Sequence, residues 1–159
     1  MNSLTVEQLA PGQSAEFTKT VTEVDVTLFA AISGDFNPVH MNVTFAAAGP
    51  FGGRIAHGPI TLALAAGVLG TELPGVGTVA VSNTIEYRHP VRLGDTITAR
   101  VEVRECDRDR NRVTMDLTWL NQDGELVAEG TAVVRPPRVP VRPQDLAAGR
   151  PEPENGGRT

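Results

Sequence analysis

The chain lacks the features that would mark it for an oxidising or lipid environment. Its single cysteine, Cys106, permits no intrachain disulfide and no thiol-rich metal centre. That fits a reducing compartment. No apolar run is long enough to span a bilayer, and residues 1–13 carry neither a basic leader nor the apolar segment of a secretory signal. A soluble, cytoplasmic protein with no membrane partner is expected. Basic charge is not in excess either: 14 Lys and Arg against 19 Asp and Glu leave a net charge of −5, which disfavours nucleic acid as a partner. No internal repeat is visible. What remains is 159 residues, 40% hydrophobic, enough for one domain with a core of its own.

Read for periodicity, the chain divides into an early helical part and a later strand-rich part. Residues 14–21 alternate weakly, as an edge strand would. Asp25 is a good N-cap for a helix over residues 26–33, with Leu28, Phe29 and Ile32 on one face. Gly34 is a natural helix stop. Asn42 suits the cap of a short turn over residues 45–48, and Gly49-Pro50 breaks it. Pro59 fits the first position of a helix running to Gly70. That helix carries apolar residues on every side, from Ile60 and Leu62 to Val68 and Leu69. A helix apolar all round and too short for a membrane must be wrapped by protein.

The following segments supply a wrapping. Val79, Val81, Ile85 and Tyr87 alternate with polar positions; Asn83 falls on the apolar face and calls for a polar partner or a bulge. Ile97 to Val103, Val113 to Trp119 and Leu126 to Val134 repeat the same period of two. Residues 107–111 form a charged hairpin tip, and Asn121 to Gly124 is a hairpin turn. The pattern is α+β with an antiparallel sheet. The domain is placed at residues 1–135. Residues 136–159, rich in Pro, Gly and charge, read as a loosely ordered tail.

The chemistry concentrates in residues 33–40, SGDFNPVH. Pro38 has a fixed φ and no N–H, so a helix cannot run through it, and it pushes Asn37 towards extended geometry. Residues 35–40 are therefore expected as a short, stiff loop that aims Asp35, Asn37 and His40 into one volume. A carboxylate, an amide and an imidazole around one water make a hydration or dehydration set, with the imidazole able to give or take a proton. No Ser or Cys stands beside His40, which makes nucleophilic acyl transfer less natural. A second element, His57-Gly58, opens the apolar helix. A helix start offers free N–H groups to a developing oxyanion. Pro59 removes one donor, which puts more weight on Gly58. His57 reads as a packing residue.

SGDFNPVH resembles the signature of the MaoC-like (R)-specific enoyl-CoA hydratases, tightly over residues 29–70 and more loosely to residue 134 through YRHPVRLGD. The resemblance implies a single hot-dog unit, an antiparallel sheet curled round one buried helix, assembled as a homodimer or higher homo-oligomer. It implies that Asp35 and His40 are the catalytic pair, that Asn37 binds the water and that the Gly58 N–H contacts the thioester oxygen. The substrate implied is a trans-2-enoyl-CoA and the product an (R)-3-hydroxyacyl-CoA, with no metal and no cofactor. Which of Asp35 and His40 takes the first proton stays open, as do acyl-chain length and pathway. Some relatives carry a serine in the helix after the His-Gly pair. Here the first hydroxyl is Thr61, so what holds the Asp35 carboxylate is also open.

Arg54, Arg88, His89 and Arg92 are candidates for the coenzyme A phosphates. Three other readings share the scaffold: a dehydratase acting on acyl-carrier-protein thioesters, a hot-dog thioesterase, and a non-catalytic acyl-CoA-binding subunit. The intact Asp35, Asn37 and His40 set argues against the last.

Overall fold

The protein is described by a computed structural model covering residues 1–142. After an N-terminal 3-10 turn, Val6–Gln8, the chain forms β1 (Ser14–Thr20), α1 (Glu23–Ser33), α2 (Pro38–Met41), α3 (Val43–Ala47) and α4 (Pro59–Thr71). Four strands follow: β2 (Val79–Tyr87), β3 (Thr96–Asp107), β4 (Arg112–Leu120) and β5 (Leu126–Arg135). They join β1 in one antiparallel sheet of order β1-β3-β4-β5-β2.

The period of two in the later sequence does what it predicts in β3 and β4. Ile97, Ala99, Val101 and Val103 are buried, as are Val113, Met115, Leu117 and Trp119, while Arg100 and Arg104 face water. The apolar face receives α4, which packs on β1 and β3. The hairpins expected at residues 107–111 and 121–124 are both present, and Gly124 takes the positive φ of 78° that its turn requires. The fold is the expected α+β hot-dog arrangement, with β1 at one edge and β2 at the other.

The structure corrects the sequence reading in several places. Helix α1 begins three residues earlier than expected. Thr22 is its N-cap, and Asp25 is the third helical residue, accepting hydrogen bonds from the Thr22 N–H and hydroxyl at 2.7 Å each. This is a capping box, in which residue three of the helix reaches back to the cap. Helix α4 is not wrapped all round by the described residues. Ile60, Leu64, Ala65, Val68 and Leu69 are buried, but Ala63, Ala66, Gly67 and Gly70 leave a stripe of small residues exposed. Strand β2 is likewise uncovered: Val79, Val81 and Tyr87 are 61%, 41% and 48% exposed. A register shift between Ala80 and Ser82 supplies the bulge that Asn83 called for, and Asn83 is exposed.

Of the expected tail, residues 136–142 return to the body of the protein. The Pro136 carbonyl accepts from Asn111 Nδ2, and the Val141 N–H donates to Ser3 Oγ. Residues 143–159 lie outside the described residues.

Candidate active site

Gly34 ends α1 in the left-handed region, with φ of 75° and its N–H bonded to the Ala30 carbonyl at 2.9 Å. The chain then turns sharply to α2. Residues 38–41 are one helical turn rather than the expected loop. Proline stops a helix arriving from the N-terminal side but suits the first position of a new one. Asn37 caps that turn, its Oδ1 accepting from the Val39 N–H at 3.2 Å. The cap uses the oxygen of Asn37 and leaves its NH₂ group for another partner. His40 thus stands on a helix, while Asp35 sits on the link before it.

The two side chains face each other. Asp35 Oδ2 lies 3.9 Å from His40 Nε2. The carboxylate is oriented locally, since the Asn37 N–H donates to Asp35 Oδ1 at 3.1 Å. The motif's own backbone is thus part of what holds Asp35, and His57 Nε2 lies 4.0 Å from its Oδ2. Thr61 takes no part, because its hydroxyl donates to the Gly58 carbonyl at 2.7 Å. His40 Nδ1 lies 2.8 Å from the Ile55 carbonyl. A carbonyl only accepts, so Nδ1 carries the hydrogen and Nε2 turns its lone pair towards Asp35.

His57 lies against this pair. It is 2% exposed, its ring centroid is 3.9 Å from that of His40, and its Nε2 is 2.9 Å from the Asp35 carbonyl oxygen. Asp35, His40 and His57 form the only cluster among the described residues that brings three metal-ligating atoms within 4.8 Å of one another. In this tautomer His57 Nε2 spends its hydrogen on a carbonyl and has no lone pair to offer a metal.

Gly58 opens α4 on the edge of a cleft of about 490 Å³ that it shares with His40, Tyr87, Arg88 and His89. Its N–H has no hydrogen-bond partner among the described residues. Tyr87 closes over it from the end of β2, and burial pushes the Tyr87 phenol above its ordinary value. The alternation of β2 marks Tyr87 only as a strand residue; being the chain's one tyrosine, at the end of a strand, is the only signal it offers in the sequence.

The arginines divide. Arg54 is turned inward and committed: it forks onto Glu23 at 2.8 and 2.9 Å and donates from Nε to the His40 carbonyl. It thereby ties the first turn of α1 to α2, and the hydrogen bond from Arg54 lowers the Glu23 carboxyl. Arg88 and His89 line the cleft. Hydrogen bonds to Glu129 and Glu86 raise Arg88 further above its already high ordinary value. Arg92 donates to the Phe51 carbonyl at 2.7 Å.

Comparison with known proteins places this geometry. A model of the MaoC like domain matches residues 6–123. The chain is 44% identical over 132 residues to a 3-hydroxybutyryl-CoA dehydratase of Methylorubrum extorquens, covering 83% of each chain. It is 41% identical to an (R)-specific enoyl-CoA hydratase of Rhodospirillum rubrum, covering 82% of this chain and 90% of that one. The unliganded R-hydratase PhaJ1 of Pseudomonas aeruginosa superposes with a TM-score of 0.83 at 40% identity, over 87% of this chain and 89% of that one. With a facing Asp35–His40 pair, a free N–H at the start of α4 and these matches over most of its length, the chain belongs to the MaoC-like dehydratase family.

Proposed function

We propose that the protein is an (R)-specific enoyl-CoA hydratase, adding water reversibly to a trans-2-enoyl-CoA. The observation that carries this is the 3.9 Å gap between Asp35 Oδ2 and His40 Nε2, next to the unpartnered Gly58 N–H. The gap is too long for a direct hydrogen bond and suits one water oxygen held by both groups at about 2.8 Å. The Asn37 NH₂ group is free to give that oxygen a third contact.

In the forward direction one member of the pair takes a proton from the water as its oxygen bonds to the β-carbon. The electrons of the double bond move towards the α-carbon, and negative charge gathers on the thioester oxygen, where the Gly58 N–H stabilises it. The proton taken from the water is returned through the pair to the α-carbon, so Asp35 and His40 end as they began. Water has then added across the double bond, and the thioester is unbroken. No resident cofactor enters; the coenzyme A thioester is the substrate.

Arg88 and Arg92, on the strand end and loop beside the cleft, are proposed to meet the phosphates. Glu86 and Glu129 offset Arg88, which leaves the cleft mouth without the broad basic surface that a carrier protein would need. This favours coenzyme A over an acyl-carrier protein. The outer edge of β2, with Val79 and Val81 exposed, and the small-residue stripe of α4 suit a second copy of the chain, so a homodimer is proposed. A cytoplasmic location accords with the single cysteine.

The test is loss of the conjugated enoyl-thioester absorbance of crotonyl-CoA. Wild type is expected to remove it without releasing free thiol, and Asp35→Ala and His40→Ala to abolish the reaction. Thiol release would identify a thioesterase instead. No turnover of short or long enoyl-CoA by folded protein, with turnover of the carrier-protein thioester, would move the assignment to the dehydratase.

A further inference from the structure

We infer that His57 is a positioning residue that sets the distance between Asp35 and His40. This rests on the hydratase reading of the site.

Asp35 lies on a non-helical link, and its side chain is 49% exposed. Two of its hydrogen bonds are local, from its own N–H to Ser33 Oγ and from the Asn37 N–H to its Oδ1. Among the described residues, only one hydrogen bond reaches Asp35 from elsewhere in the chain, that from His57 Nε2 to its carbonyl at 2.9 Å. The same ring supports His40 by stacking, with centroids 3.9 Å apart and planes 30° apart, and rests on Phe29 on another side. His57 therefore touches both members of the pair and joins them to Gly58, the next residue along the chain.

Packing alone does not account for a histidine here. His57 Nδ1 is buried with no hydrogen-bond partner. Leaving a buried polar atom unsatisfied is costly, and an apolar side chain of similar size would avoid it. What an apolar residue cannot supply is the donor to Asp35. The two stacked imidazoles thus hold opposite tautomers: His40 carries its hydrogen on Nδ1, facing the Ile55 carbonyl, and His57 carries its own on Nε2, facing the Asp35 carbonyl.

The test compares His57→Gln, whose amide can place a donor near the lost Nε2–H, with His57→Leu, which cannot. For crotonyl-CoA, His57→Leu is expected to lower kcat by about 10- to 100-fold, the usual effect of a small misplacement of reacting groups, with KM changed less than about twofold. His57→Gln is expected to recover most of the loss. Nitrogen-15 spectra of the wild-type imidazoles at neutral pH are expected to show Nε2–H for His57 and Nδ1–H for His40. Wild-type kcat in His57→Leu, equal impairment in the two variants, or an Nδ1–H tautomer for His57 would each overturn the proposal. The tautomer readout needs no turnover. A wild-type protein with the expected tautomers but no hydration of any enoyl-CoA would sink the hydratase reading and leave the tether standing.

Discussion

The ring of Tyr87 fills the space that a side chain at Gly58 would need. A Cβ added at Gly58 would lie 2.7 Å from Tyr87 Cζ and 3.0 Å from its hydroxyl oxygen. Gly58 has ordinary helical φ and ψ, −51° and −45°, so this glycine answers a close approach and not a backbone conformation. The atoms it meets are the far end of one side chain, which can swing aside. Gly58→Ala is therefore expected to fold with nearly wild-type stability, within about 1 kcal/mol, while displacing Tyr87 into the cleft and lowering kcat/KM by at least about tenfold. Adding Tyr87→Ala to Gly58→Ala should restore part of the activity. If the double variant is no better than the single, the ring is not what the glycine accommodates.

Asn37 has one job in the structure and a second in the proposed reaction. Its Oδ1 caps α2 through the Val39 N–H, and its NH₂ group is assigned to the substrate water. Asn37→Ala removes both and should cost about 1 kcal/mol of stability, as lost N-caps do, along with most of the hydration rate. Asn37→Asp keeps the capping oxygen and removes the NH₂ donor. Its urea midpoint should stay close to wild type while its rate falls as far as that of the alanine variant. A fully active Asn37→Asp would assign the residue to the cap alone.

Features set by neighbouring residues are legible in the amino-acid sequence itself. Gly34 as a helix stop, Pro59 at the start of α4, the two hairpins and the alternation in β3 and β4 follow from local chemistry. So does the grouping of Asp35, Asn37 and His40, which eight consecutive residues contain. Local chemistry also has ambiguities. Thr22 and Asp25 are both good caps, and only their reciprocal bonds decide which one is the cap. Pro38 breaks one helix and begins another. Alternation in β2 marks an apolar face but not what covers it: Ile85 is half-buried against the core, while Val79 and Val81 stay exposed. Least legible are the contacts between distant residues. His57 meets Asp35 across 22 positions, Arg54 meets Glu23 across 31, and Tyr87 meets Gly58 from another element. No period or motif in a single sequence encodes those pairs.

Arg54 illustrates the difference. As a basic residue near a loop it suits a phosphate, but its guanidinium is engaged by Glu23 and the His40 carbonyl. Arg54→Lys loses the two-pronged geometry that an ammonium cannot reproduce. The expected result is a lower kcat through a displaced His40, with KM for crotonyl-CoA nearly unchanged. Arg88→Ala and Arg92→Ala should do the reverse, raising KM several-fold for coenzyme A thioesters and much less for a truncated pantetheine thioester. A raised KM in Arg54→Lys would return that residue to the phosphate site.

The capping box of α1 makes a prediction about acid stability. Burial tends to raise the Asp25 carboxyl, but hydrogen bonds from Lys19 and Thr22 outweigh it and hold the group at about 2, against an ordinary value of 3.8. Because the folded value is the lower, Asp25 stabilises the fold above the unfolded value, and the contribution disappears as pH falls from about 4 to 2. The full shift corresponds to about 2 kcal/mol. The carboxylate is 22% exposed, so about 1–2 kcal/mol is expected in solution. Asp25→Asn keeps an oxygen able to accept from Thr22 and loses the charge facing Lys19. Urea unfolding of wild type and Asp25→Asn should therefore differ by that amount at pH 7. The difference should shrink to about three quarters of that at pH 3.5 and to about a third at pH 2.5. A difference that stays constant over this range would show that the lost stability comes from packing and not from the ionised carboxylate, and would remove α1 capping from the causes of acid unfolding.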